Sequence, residues 1–334
     1  MMKYIKLFFG VILLIFSVRG HAINEIENIT PAQAFEKGRV LRLQHEIQLA
    51  GHYLKYAADQ GHLMAALMYA DELATLTPYI RRQEEILHYT MLSARGGNVW
   101  AMNRLAETQR IEDEELRSYW QKQYHSVLLE RANNGNAKAM LTLFYQNLEV
   151  NYERAKMWLK KALATGYQPA KMAEIELVEN GREEWFFLPV DRQTEVIFRY
   201  ALLANSGYLP AIKKIIHLFL NTGKTHLVVE WFDKAVELGD ANSLALAAKA
   251  YAGNYPQTRV KVDLVKSATY YAIYLDAMGT DKLKGTYKRI QKAEQIIKGK
   301  MTPEQLSSAQ QAYLEYMKYH QVAMYESPWK YSNQ

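Results

Sequence analysis

Glu230-Trp-Phe-Asp-Lys-Ala-Val-Glu-Leu-Gly-Asp-Ala-Asn-Ser-Leu-Ala-Leu-Ala-Ala-Lys-Ala-Tyr251 is the stretch that decides the fold. Trp231, Phe232, Ala235 and Val236 recur at helical spacing. Gly239 follows, where a chain leaves a helix through the left-handed region. Ser243, Ala247, Ala248 and Tyr251 then stand at +4, +8, +9 and +12 from the glycine. Small residues on that face let a second helix lie close to the first. Neither helix alone buries enough apolar surface, so the stretch predicts a helical hairpin that needs neighbours.

Copies of the pattern supply them. Gly61 follows Ala57 and Ala58 and precedes Ala65, Tyr69, Ala70 and Leu73. Gly97 sits between Ser93-Ala94 and Ala101, Gly135 between Ala132 and Ala139, Gly166 between Ala162 and Ala170, and Gly207 between Ala204 and Ala211. A faded copy centres on Gly279, with Leu283 and Tyr287 behind it. The steps between these glycines are 36, 38, 31, 41, 32 and 40 residues. That is the range of two-helix repeats, with uneven loops between units. The expected architecture is an all-α superhelix, a solenoid of helix-turn-helix repeats.

Ala57-Ala-Asp-Gln-Gly-His-Leu-Met-Ala65 and Trp158-Leu-Lys-Lys-Ala-Leu-Ala-Thr-Gly-Tyr-Gln-Pro-Ala170 resemble Sel1-like repeats, relatives of the tetratricopeptide repeat. The resemblance covers roughly residues 45 to 290 and makes Gly61, Gly97, Gly135, Gly166, Gly207 and Gly239 its structural glycines. Arg131 and Ser243 depart from the family pattern, each replacing a small residue.

Residues 1–22 read as a secretory signal peptide rather than as fold. Lys3 and Lys6 give a positive start, Leu7 to Ser17 an apolar core of eleven residues, and Gly20-His-Ala22 a small-x-small cleavage site. The alternative is a retained anchor, for which the core is short of the roughly 20 apolar residues that span a bilayer. The expected product is periplasmic or secreted, cleaved after Ala22. With Lys3, Lys6 and Arg19 removed, 38 basic residues of the original 41 face 35 acidic ones, a net charge of +3. So mild an excess does not point to nucleic acid, whose binding needs clustered cations. There is no cysteine. That excludes disulfides, thiolate zinc sites, cysteine catalysis and a lipidated N-terminus.

Thr30-Pro31 is a predicted helix start within a lead-in over residues 23–44. The longest step, after Gly166, carries Trp185, Phe186 and Phe187. No helix face buries three consecutive aromatics. They are candidate partner-binding residues, or else they fold back over the neighbouring hairpin. Trp120 and Tyr124 are expected on one helix face, lining a groove or packing against the preceding hairpin. A lysine-rich helix is expected over 282–300 as a solvated face. A last helix opens at Thr302-Pro303, with Tyr313, Tyr316, Met317, His320 and Met324 at helical spacing, as a cap over residues 291–334.

Chemistry is sparse. Gly223-Lys-Thr225 lacks the preceding glycine and strand of a phosphate loop, and no hydrolase or zinc-protease motif occurs. His45 and His52 are expected to share a helix face two turns apart, too few ligands for a metal site. The Glu112-Asp-Glu-Glu115 run is expected to offset a helix N-terminus. No catalytic residue, cofactor or metal is therefore predicted. The expected work is binding another protein. The resemblance implies adaptors and scaffolds, and a periplasmic subset that neutralises toxic lipase effectors of type VI secretion systems. The rival readings are an envelope adaptor and, further off, a hydrolase.

Overall fold

The computed structural model describes residues 29–76, 82–108, 111, 113–183, 188–280 and 284–326. The signal segment, the Trp185-Phe-Phe187 stretch and the tail with Trp329 and Tyr331 lie outside the described residues.

The described residues form two compact units, one on 29–42 and 47–121, the other on 43–46 and 122–326. In the first unit, α1 (Pro31–Leu43) starts from a capping box. Gln33 N–H donates to Thr30 Oγ1 at 3.2 Å and the Thr30 amide donates back to Gln33 Oε1 at 2.9 Å. Next come α2 (Ile47–Asp59) and α3 (Leu63–Leu76), then α4 (Gln83–Arg95) and α5 (Val99–Glu107). The first unit also ties two acids of α3 to arginines: Glu72, 2% exposed, accepts from Arg42 Nε at 2.5 Å, and Asp71 accepts from Arg104. α6 (Glu114–Asn133) begins where the acidic run was expected to start a helix, with Asp113 Oδ1 accepting the Leu116 amide at 3.0 Å.

The second unit continues with α7 (Ala137–Asn147), α8 (Tyr152–Ala164), α9 (Gln168–Glu179), α10 (Pro189–Asn205) and α11 (Leu209–Asn221). It ends with α12 (Val228–Glu237), α13 (Ala241–Tyr251), α14 (Leu264–Ala277), α15 (Lys284–Lys298) and α16 (Pro303–Tyr319). Helices pack chiefly on sequence neighbours: α10 on α11, α11 on α12, α12 on α13, α13 on α14. Packing one repeat back, as of α7 on α9 and α14 on α16, completes the pattern of stacked hairpins. The chain is thus an all-α helical-repeat protein, and among the described residues the sole β feature is a bridge between Asp240 and Ala323.

The turn at Gly239 shows why the hairpins close. Its φ is +76°. Gly239 N–H donates to Val236 O at 2.8 Å and Asp240 N–H to Ala235 O at 3.1 Å, which satisfies the last carbonyls of α12. Asp240 then caps α13, accepting the Ser243 amide at 2.9 Å and its hydroxyl at 2.7 Å. Gly61, Gly97, Gly135, Gly166 and Gly207 hold φ between +78° and +93°.

Three expectations need correction. Gly279 has no left-handed φ; α14 ends at Ala277, Met278 is extended, and the Gly279 amide donates to Gln44 O at 2.6 Å. His45 has φ +64° and precedes α2, so it shares no helix face with His52. α16 stops at Tyr319, so His320 and Met324 are not on it: His320 is extended, at φ −121° and ψ 134°.

Candidate functional site

The second unit gathers tyrosines, carboxylates and lysines from α7, α9, α10 and α11. Tyr145, on α7, is 42% exposed and donates to Glu176 Oε2 at 3.2 Å. One turn further along α9, Glu179 Oε2 accepts from Tyr200 at 2.9 Å and pairs with Lys214 at 2.9 Å. Lys214 also lies 5.8 Å from the centre of the Tyr200 ring. Next to it on α11, Lys213 reaches Asp240 Oδ1 at 3.0 Å and stands 5.5 Å from the Tyr325 ring.

Two further tyrosines arrive by a local rule. Gly61, Gly97, Gly135 and Gly239 are followed by a polar residue whose side chain accepts an amide of the second helix: His62, Asn98, Asn136 and Asp240. Gly166 and Gly207 are followed by Tyr167 and Tyr208, which make no such cap. Each tyrosine is followed two residues on by a proline, Pro169 or Pro210, set in the first turn of its helix. Proline removes an amide that has no helical partner there and presets φ. The cap is given up and a phenol is placed at the helix start. Tyr208 lies within electrostatic reach of Tyr325, Tyr167, Tyr145 and Glu176.

Burial holds the phenols of Tyr145, Tyr200 and Tyr208 above the ordinary tyrosine range, and that of Tyr325 up to about 12. Burial also raises the Glu176 carboxyl. The face therefore presents phenols that stay neutral near neutral pH, beside the side chains of Lys213 and Lys214 and the Glu176–Glu179 carboxyls. These groups suit hydrogen bonding, stacking and ion pairing with a polypeptide. None is a phenolate nucleophile. A cavity of about 420 Å³ opens beside Tyr145 and Glu176, bounded by Arg182 and Glu149, which pair at 2.5 Å. Among the described residues no group of three or more His, Asp or Glu is placed to hold a metal ion, and no helix is long and apolar enough to cross a membrane.

Of the candidates named from sequence, Trp120 and Tyr124 are buried, at 4% and 7% exposure. Tyr124 oxygen accepts from Gln146 Nε2 at 2.6 Å. Both rings serve the interior, and neither offers surface to a partner. Trp185, Phe186 and Phe187 are outside the described residues. Sequence reasoning missed Tyr145, Glu176, Glu179, Tyr208 and Lys214. The doubled Gly-Tyr-x-Pro-Ala of residues 166–170 and 207–211 was the available signal.

No family model matches the sequence, and no curated protein matches it. In structure the chain is similar to a protective antigen present in uropathogenic Escherichia coli strains displaying an SLR fold, at 16% identity and a TM-score of 0.39. That likeness covers 89% of this chain and 62% of the other, so the chain spans less than two thirds of that protein's length. It is similar also to a Sel1 repeat protein from Oxalobacter formigenes, at 17% identity and a TM-score of 0.35, covering 90% and 89%. The fold stands on the geometry of the helix pairs themselves.

Proposed function

We propose that this Sel1-like repeat protein is exported and binds another protein through the tyrosine face of α7, α9 and α11. The observation that carries the reading is the pair of turns at Gly166 and Gly207. There a helix cap is replaced by a tyrosine, and the tyrosines converge with Tyr145, Glu176 and Lys214. Tyrosine joined to fixed charges is a composition that binding hot spots favour. The finer reading is an immunity protein of the periplasm that neutralises a toxic lipase effector of a type VI secretion system. What supports it is the signal-like N-terminus, the lack of catalytic motifs and the resemblance of the repeats. An envelope adaptor is the other reading; it predicts several weak partners in place of one tight one.

The test is protection. Cells making the full chain, and cells making a chain that begins at residue 23, are challenged with a lipase effector directed to the periplasm. Survival is expected with the full chain alone, together with a mature N-terminus at Ile23 by mass spectrometry. The variant Tyr145→Ala/Tyr208→Ala/Lys214→Ala is expected to bind the effector at least 10-fold more weakly while keeping its helical signal. Equal binding by that variant, or equal protection by the unexported chain, would refute the reading.

A further inference from the structure

Past α16 the chain turns into a short extended segment, hereafter the strand, that crosses the α12–α13 turn through one isolated bridge. His320 stacks on Tyr316 with ring centres 4.0 Å apart, which fixes where the strand begins. Ala323 N–H donates to Gly239 O at 3.1 Å, and Ala241 N–H donates to Ala323 O at 3.0 Å. Ala241 is the first residue of α13, so its amide has no acceptor within its own helix. The strand provides one. On the other edge Val322 O accepts from Gln44 Nε2 at 2.8 Å, and Met324 N–H donates to Leu43 O at 3.1 Å. Val322 is 1% exposed within the core. A Cβ built on Gly239 would stand 2.2 Å from Gln321 O, so the glycine leaves room for the passing strand as well as turning the chain. The strand ends with Tyr325 over Lys213 and beside Tyr167, on the tyrosine face itself.

Four of these contacts involve main-chain atoms of the strand and are indifferent to its sequence. Val322, Met324 and Tyr325 add side-chain contacts: Val322 lies in the core, Met324 packs against it and Tyr325 sits over Lys213. We propose that residues 321–325 are a seated placeholder. The seat made by Gly239–Ala241, Leu43–Gln44 and Lys213 takes an extended segment of the binding partner, with an apolar residue followed three positions later by an aromatic one. The partner enters by strand addition and displaces the chain's own segment, which is an autoinhibitory contact. Being tethered, that segment competes at an effective concentration on the order of millimolar. The inference rests on the tyrosine face being the binding face, and it adds how that face is regulated.

A fluorescein-labelled peptide of residues 319–326 probes the seat directly, with no partner needed. Binding is followed by anisotropy against the full-length chain and its full-length Val322→Asp variant, in which the tethered segment is driven out of the core. The variant is expected to bind the peptide at least 10-fold more tightly than the unsubstituted chain. The same peptide carrying Val322→Asp is expected not to bind. Hydrogen exchange at the Ala241 amide should be slow in the unsubstituted chain, fast in the variant, and slow again once the peptide is added. Equal peptide affinity for the two chains, or no recovery at Ala241, would overturn the proposal. Should Val322→Asp lose its helical signal, Tyr325→Ala decides. Removing only the ring over Lys213 is expected to raise peptide affinity at least 3-fold, and unchanged affinity would overturn the proposal. The two failures are distinguishable: a failed placeholder leaves the effect of Tyr145, Tyr208 and Lys214 on partner binding standing, whereas failure of those three substitutions removes the face that the placeholder would regulate, even if the peptide seats.

Discussion

The turns at Gly239 and Gly166 solve one problem in two ways. Both carry the chain through positive φ, +76° and +78°. At Gly239 the residue after the glycine is used inward: Asp240 is 1% exposed, caps α13 and holds Lys213. The strand of residues 321–325 then covers the turn. At Gly166 a built Cβ meets nothing within 4 Å, and the residue that would have been the cap is Tyr167, with Pro169 behind it. One turn is committed to stability and the other to display. The difference teaches that a repeat fold sets the path of the backbone, while the residue after each glycine is free to serve the helix or the surface.

The strongest way to break this comparison is alanine at each glycine. Gly166→Ala meets only the left-handed backbone penalty, about 1–2 kcal/mol. Gly239→Ala meets the same penalty and a collision with Gln321 O. It forces the strand off and exposes Val322, whose burial is worth about 1.5–3 kcal/mol. The expected loss is therefore about 2.5–5 kcal/mol, read as a lower midpoint in urea denaturation. Equal losses at the two glycines would mean that the strand contributes nothing to the turn.

Much of this was legible in the sequence, because glycine and alanine act through local sterics. The glycine at the turn, the small residue at −4 or −3 and the small residue at +4 state a backbone path that no distant contact has to complete. The second helices end just as locally, at Gly181, Gly223 and Gly253, with φ of +69°, +72° and +76°. Those glycines went unread because nothing periodic surrounds them. Gly279 misled for the opposite reason. Its neighbours imitate the repeat, but its environment is set by Gln44 and by Glu46, whose carboxylate would lie 2.3 Å from a built Cβ. The tyrosine face was hidden because Tyr145, Glu176, Tyr200 and Lys214 meet only through packing of helices far apart in sequence. Trp120 and Tyr124 show the limit of periodicity, which puts two rings on a helix face but does not say whether another element covers it.

A smaller effect belongs to the capped turn at Gly135. Lys138 follows it in the first turn of α7, 6% exposed. Burial, with the charge of Arg131 as a lesser cause, lowers the Lys138 pKa to about 8. An unfolded lysine titrates near 10.4, so between about pH 8 and pH 10.4 the unfolded chain holds the proton that the folded chain has lost. Lys138 therefore penalises the fold fully below its folded pKa, and the penalty fades as pH rises through that window. Lys138→Met is expected to raise stability at pH 7 by about 2 kcal/mol, discounted from the roughly 1.36 kcal/mol per pKa unit that full burial would imply. The gain over the unsubstituted chain should shrink by pH 10. Denaturation midpoints of both proteins at pH 7 and pH 10 check the sign, and a gain that does not change with pH would assign the effect to packing.

The finest test replaces display with capping. Tyr208→Asn puts a side-chain acceptor at the N-cap of α11, where the tyrosine makes none. An asparagine cap contributes about 0.5–2 kcal/mol over a residue that does not cap. Pro210 has already removed one amide from that turn, so the smaller part of that range is expected. The same change takes a phenol from the face shared with Tyr145, Tyr167 and Glu176. Stability should therefore rise slightly, or hold, while partner binding weakens at least several-fold. Asp240→Tyr is the mirror change and should lose stability, because it removes the Ser243 cap and the Lys213 pairing together. If Tyr208→Asn lowers the midpoint and leaves binding intact, the tyrosine is there to pack, and the distinction between turns that hold and turns that display is lost.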